Sequence, residues 1–414
     1  MVILPGCCLI LLVIGLAWPT QAQQASARQP DYQFSQAILA QWQHDSVWSN
    51  YQNYAVQFSQ IGDYRHTLAA QSAFEKGRGG TDNNIRFDAA YVPQFHAMAA
   101  QPELLKRTAT RQLVILNEAH YQPLNRVFTR SMLAGLYRQG FRYLCLEDLA
   151  NGSQADVPLN QRKYPTRVTG YYSLEPQYGE LERYALGLGY VLVPYEYVPT
   201  EKPTDPMAGM VARETGQARN IQQILVKDPQ AKIVVHVGYG HLIEQLAPDG
   251  NFGFMGGFLK KSTGLDPFTI HQVDLLEHAD PRFDNPYRAL LHATSPSVFV
   301  NARGALFTST QDSAKWDASV YFPPTTYAHG RPTWLLMDSD RHYYSLAAKH
   351  LTVGFPCLVR AYKAGEDVAQ AIPADVVEWQ NSREDLALVL GPGRYALVFQ
   401  DAQGHTQQQA IRVP

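Results

Sequence analysis

Four cysteines in 414 residues rule out a disulfide-built scaffold. Two of them, Cys7 and Cys8, sit in an apolar amino-terminal run, which leaves Cys145 and Cys357 and one bond at most. Excess positive charge is also missing. There are 35 Lys and Arg against 37 Asp and Glu, a net charge of -2, which argues against nucleic acid as a partner. The chain has no Gly-x-Ser-x-Gly elbow for a serine nucleophile and no His-Glu-x-x-His helix for zinc. It has no internal repeat and no low-complexity tract. After the amino end, no apolar run suggests a stable membrane span.

The amino end reads "MVILPGCCLILLVIGLAWPTQAQQ". Its apolar stretch from Val2 to Trp18, followed by Thr20-Gln21-Ala22 and a Gln-rich start, fits a signal peptide over residues 1–22. An exported protein, periplasmic or extracellular, is the expectation. "LPGC" ends at Cys7, ahead of the apolar core instead of behind it, so lipidation is discounted. Cys145 lies in "FRYLCLED", a predicted central strand. A bond to Cys357 and a buried free thiol both remain open.

Residues 23–110 are rich in Gln, Ala and aromatics. Phe34, Ile38, Leu39 and Trp42 fall on one helical stripe, so the region is expected to form a helical cap. From residue 111 strand and helix alternate: "QLVIL", "PLNRVFTRSMLAGLYRQG", "FRYLCLED", "GELERYALGLG", "YVLVPYEY", "MAGMVARETGQARNIQQILVKD", "KIVVHVGYGH". The strands are almost wholly apolar. That predicts an α/β domain over 111–347, with a mostly parallel sheet covered by helices on both faces. Short strands divided by turn residues over 348–414 predict a small β-sandwich of six or seven strands.

Four strands end in ionisable residues: Glu118 and His120, Glu147-Asp148, Glu196, and Gly238-Tyr239-Gly240-His241. A parallel sheet brings such ends to one edge, where open α/β folds bind ligands. Each has a plainer explanation. Asp148 suits a helix cap, His236 in "IVVHVG" suits a hydrogen-bonded core histidine, and "GYGH" suits a tight turn. The gathering of the set is what favours a cleft.

In order, "NEAH", "LCLED", "RETGQARNI" and "KIVVHVGYGH" resemble the motifs of the erythromycin esterase-like, ChaN-like and TIKI/TraB superfamily. Glu118 and His120 match its Glu-x-His, Glu147 its second-strand acid, Arg213 and Asn220 its helix, and Gly238 and His241 its Gly-x-x-His. Asn117 stands where the family has glycine, and Gln217 where it has methionine. The likeness spans roughly residues 110–275. It implies the same fold and, across the superfamily, ester hydrolysis, metal-dependent peptide cleavage or haem binding.

The residues carry chemistry of their own. A histidine between carboxylates can serve as general base on water, and Arg213 can stabilise a developing oxyanion. Glu118, His120, Glu147, Arg213 and His241 are the candidate catalytic set. His120, His241 and a glutamate are also a conceivable site for Mn, Co or Zn. Tyr121, Tyr195, Glu196 and Tyr239 are candidate cofactor-binding residues, joined by Tyr171, Tyr172, Tyr178 and Tyr197 in a tyrosine-rich rim suited to a sugar, a macrocycle or haem; loop packing is the plainer account of that rim. Hydrolysis of an ester or amide is the leading expectation, and haem or other flat-ligand binding without turnover the alternative. The ligand is then a small molecule or a peptide, and the sandwich is a candidate to bind a protein or glycan.

Overall fold

A computed structural model describes residues 32–80, 87–201, 203–337 and 340–414. The expected signal peptide lies outside these residues. At the centre are six parallel strands: β2 (Leu113–Glu118), β3 (Tyr143–Leu146), β4 (Val191–Pro194), β5 (Ile233–Gly238), β6 (Phe268–His271) and β8 (Ala318–Ser319). Their order is β4-β3-β5-β2-β6-β8, with every neighbouring pair parallel.

Alternation along these strands feeds two cores. Val114, Leu116, Leu144, Leu146 and Val234 point to one face. There they meet α5 (Pro123–Arg138) and α7 (Pro176–Leu188). Leu113, Ile115, Cys145, Val235 and Val237 point to the other, covered by α8 (Pro206–Lys227) and α9 (Met255–Thr263). Helices α5, α7 and α8 each begin with proline at the first turn, behind Gln122, Glu175 and Asp205, whose side chains cap them. Proline lacks an N–H that would go unpaired there anyway. Helix α5 starts close behind β2, whereas α7 and α8 follow β3 and β4 after longer loops.

The amino-terminal region holds α1 (Ser35–His44), α2 (Tyr51–Gln60), α3 (Tyr64–Gly77) and α4 (Ala100–Thr108). The region is not wholly helical: β1 (Phe95–Ala99) pairs antiparallel with β7 (Ser297–Asn301). A short helix, α6 (Leu159–Arg162), lies in the loop after β3, and β9 (Tyr327–Ala328) and β10 (Arg331–Pro332) form a small hairpin.

At the carboxyl end β12 (Cys357–Lys363), β13 (Asp375–Trp379), β15 (Gly393–Asp401) and β16 (Thr406–Val413) form one antiparallel sheet, while β11 (His342–Ser345) pairs with β14 (Ala387–Leu390). That pairing carries the strand-rich region back to residue 342, ahead of the boundary expected at 348. The region also docks on the rest of the chain. Arg331 Nη2 donates to Asp375 at 2.6 Å with both side chains buried, and Arg183 of α7 grips Glu366 at 2.8 and 2.6 Å. Cys145 and Cys357 are free and buried in separate cores, which resolves the open alternative in favour of thiols. No described helix is long and apolar enough to cross a membrane.

Candidate active site

Strand register explains how the site is assembled. Glu118 is opposite Gly238 and Leu146 is opposite His236, so residues 118, 236 and 238 share the face covered by α5 and α7. Arg126 rises from the first turns of α5 and is fully buried. Its Nε donates to Glu118 Oε2 at 2.7 Å, Nη2 to Oε1 at 3.0 Å and Nη1 to Glu175 Oε2 at 3.0 Å. Nη2 also donates to the His120 carbonyl at 2.7 Å. His236 Nε2 lies 3.0 Å from Glu118 Oε2 and its Nδ1 3.3 Å from Thr129 Oγ1. Burial alone would raise Glu118's pKa. The Arg126 charge and the two histidine contacts outweigh it and hold the carboxyl well below its ordinary value. His236 is thus the core histidine that its apolar strand suggested, and it also braces the site.

A second network gathers on the α8 side. Arg213 Nε donates to Glu196 at 3.0 and 3.2 Å, and Nη2 donates to Glu147 Oε1 at 2.6 Å and also to Glu196 Oε2. Nη1 lies 2.9 Å from His241 Nε2. Glu214, the neighbour of Arg213 in sequence, holds His241 Nδ1 at 2.7 Å and accepts the Met255 N–H that opens α9 at 2.7 Å. Glu147 Oε2 accepts the Gly238 N–H. Although burial opposes its charge, His241, Arg213 and His120 pull Glu147's pKa down to about 2. His241 is desolvated too, yet Glu214 and Glu147 raise its pKa.

The networks meet at Gly238. Its φ of -77° is ordinary, so space explains the glycine, not backbone freedom. A Cβ there would lie 2.4 Å from His120 Cε1, 2.5 Å from His120 Nε2 and 3.1 Å from Glu147 Oε2. The His120 imidazole therefore lies across the end of β5, with Nδ1 tied to Glu118 Oε1 at 2.9 Å. Tyr172 stacks on it at 4.1 Å, and Tyr239 meets it edge-on at 5.1 Å. Asp148 caps the turn that carries Tyr172, accepting the Tyr172 and Ser173 N–H groups at 2.7 and 2.6 Å. Asn117, the residue before Glu118, donates from Nδ2 to the Tyr239 carbonyl at 2.7 Å and accepts the Gln272 N–H at 2.6 Å. It thereby secures a tyrosine that stands at φ 42°, a conformation that side chains rarely adopt.

All five candidate catalytic residues thus lie in one contact network. The candidate cofactor residues divide. Tyr239 borders His120 and Glu196 clamps Arg213, whereas Tyr195 is fully buried with its hydroxyl on the His236 carbonyl at 3.3 Å. Tyr121 is buried as well, near Tyr239 and Glu75 of α3. Neither lines an opening as placed here, which removes two tyrosines from the rim. Tyr178 is likewise buried, over the Arg126 guanidinium at 4.8 Å. Sequence reasoning missed Arg126, Glu175 and Glu214. Glu214 had a signal, its place beside Arg213 in "RET"; Arg126 had none, since it lies on a helix whose facing is fixed only by packing, and Glu175 reads only as the cap before Pro176.

The donor set does not suit a divalent ion. Arginine already sits between the carboxylates, Arg126 on Glu118 and Arg213 on Glu147 and Glu196, where a metal would have to be. Among the described residues no group of three or more His, Cys, Asp and Glu is arranged to hold one.

No family model and no curated protein matches the chain. Solved structures show distant likenesses. The type III effector HopBA1 aligns over 46% of this chain and 94% of its own, at 15% identity and a TM-score of 0.30. RRSP, a MARTX toxin effector domain from Vibrio vulnificus, aligns over 57% of this chain and 46% of its own, at 18% identity and 0.31. A chain from a crystal structure of bacterial protein toxins aligns over 50% and 45%, at 19% identity and 0.31. At such TM-scores these likenesses say nothing about this chain's chemistry.

Proposed function

We propose that the protein is an exported hydrolase that cleaves an ester or amide, with His120 as general base, in the manner implied by the erythromycin esterase-like and TIKI/TraB resemblance. The observation that carries the reading is the tether on His120. Glu118, kept ionised by Arg126, accepts a hydrogen bond from Nδ1–H at 2.9 Å. That leaves the lone pair on Nε2 and fixes the ring's orientation. The imidazole is 18% exposed while Glu118 beneath it is 2% exposed, so the base reaches solvent and its support does not. The apolar leader supports export.

In this scheme Nε2 takes a proton from water, and the hydroxide adds to the acyl carbon as the carbonyl electrons move onto oxygen. Glu147, beside the ring, balances the imidazolium charge. Arg213 has five N–H donors. Its contacts to Glu196, Glu147 and His241 use four, leaving one on Nη1 for the oxyanion. Collapse expels the alkoxide or amine, which takes the proton back from Nε2.

The test is His120→Ala, assayed against a panel of chromogenic esters and anilides. Activity is expected to fall about 100-fold or more, while stability changes by no more than about 1–2 kcal/mol. A folded variant that retains full activity removes His120 from the mechanism. An unmutated protein inert towards every substrate class tested overturns the hydrolase reading.

A further inference from the structure

Beside the site, between α1 and α2, lies a cleft of about 280 Å³ lined by Gln41, Asn50, Asn53, Tyr54, Gln57 and Tyr171. Four of the six are primary amides and two are tyrosines; none is charged. Primary amides offer donors and acceptors together. With no cation to hold a phosphate and no anion to hold an amine, the lining selects a neutral ligand rich in hydroxyl groups, and the tyrosine rings offer C–H groups a face to rest on. The volume lies just under the usual span for small-molecule sites, about 300–1,000 Å³, which suits one or two sugar rings.

Two further observations point to an occupant. Gln57 Oε1 is buried and has no hydrogen-bond partner, and a buried acceptor left unpaired calls for an explanation. Asp45, behind the cleft, takes the amide N–H of Asn50 and the hydroxyl proton of Tyr54, both at 2.9 Å. Those bonds spend the donors of Asn50 and Tyr54 that face inward and leave their oxygens as acceptors.

The cleft is coupled to His120 through two rings. Tyr171 meets Tyr172 edge-on at 5.2 Å, and Tyr172 stacks on His120 at 4.1 Å. We infer that this cleft is a subsite for a neutral carbohydrate, which holds the sugar part of a substrate whose ester or amide is then presented to His120. The placement of the scissile bond rests on the proposed hydrolase; the binding of sugar does not.

Binding is therefore measured apart from turnover. Maltose, cellobiose and N,N′-diacetylchitobiose are titrated into the full chain and followed by calorimetry and saturation-transfer NMR, with sucrose octasulfate and tri-alanine as charged and peptide comparators. At least one neutral disaccharide is expected to bind with a dissociation constant of millimolar or below. Gln57→Ala and Asn53→Ala are each expected to weaken it about tenfold. Thermal melts confirm folding, and Asn53→Ala on the cleft wall serves if Gln57→Ala unfolds. No binding by any neutral sugar, tighter binding of either comparator, or an affinity unchanged from the unmutated protein in both cleft variants overturns the proposal. Sugar binding without hydrolysis of any ester or amide refutes the hydrolase and leaves the subsite standing.

Discussion

The two charged networks at the sheet edge use the same residue types and differ in water. Around Glu118, the arginine, both carboxylates and His236 are shut inside, with Arg126 fully buried and Glu175 equally so. Around Arg213, the guanidinium and His241 remain 18% and 16% exposed. A closed network can only position; one at the surface can also meet a substrate. His120 belongs to both, tied at Nδ1 to the closed one and lying with its Cε1–Nε2 edge over Gly238 beside Glu147, its side chain 18% exposed. Exposure, more than residue type, separates scaffold from chemistry here.

The comparison breaks most visibly at Arg126. Arg126→Met leaves Glu118 and Glu175 buried without the cation they share, a loss of about 3–5 kcal/mol. Denaturant melts should show this, and Arg213→Met should cost less because Arg213 and His241 are already partly open to water. If the two variants lose equal stability, the distinction between closed and open networks is wrong.

Gly238→Ala comes next. The added methyl must push His120 or Glu147 aside, at about 1–3 kcal/mol, and activity should fall at least about tenfold while far-UV dichroism stays unchanged. A fully active Gly238→Ala would show that His120 need not lie across β5.

A pH dependence follows from Glu147. Its folded-state value of about 2 lies below the ordinary 4.5, so its contribution is present above about pH 4.5. That contribution is lost as pH falls towards 2. Glu147→Gln should flatten the decline in melting temperature over this window, and an unchanged acid limb would remove Glu147 as its cause.

The smallest effect is expected at Glu182, where a serine replaces the arginine. Ser173 Oγ lies 2.9 Å from Glu182 Oε1 and 2.6 Å from Asp148 Oδ2. A single hydroxyl proton cannot serve both, and burial, reinforced by Asp148, raises Glu182 well above its ordinary value. A raised carboxyl favours folding at low pH and loses that advantage as pH rises. Glu182→Gln should thus gain about 1 kcal/mol at pH 8 and nothing at pH 4; a loss at both pH values would refute a neutral Glu182.

Much of this could be seen in the chain itself. The apolar strands disclosed the parallel sheet, and charged strand ends disclosed Glu118, His120, Glu147 and His241. Arg126 stayed hidden because only the rotation of α5 against β2 turns it inward. Tyr195 misled for a related reason. Odd and even positions past a strand's end look alike in sequence, yet one faces the edge and the next returns to the core. The pairing of β1 with β7 joins residues about 200 apart, and β11 reaches β14 past two intervening strands, β12 and β13. No local signal announces either partner.

Arg183 gives the molecule a timetable. Its carboxylate partner, Glu366, lies 183 residues further along the chain, whereas every strand of the parallel sheet is complete by residue 319. During synthesis the sheet can therefore form while the Arg183 guanidinium has only Glu180 of its own helix, at 3.3 Å, and still lacks Glu366. Non-local contacts of this span close late. Since α7 also presents Glu175 to Arg126, the innermost support of His120 is secured only when the last part of the chain has emerged.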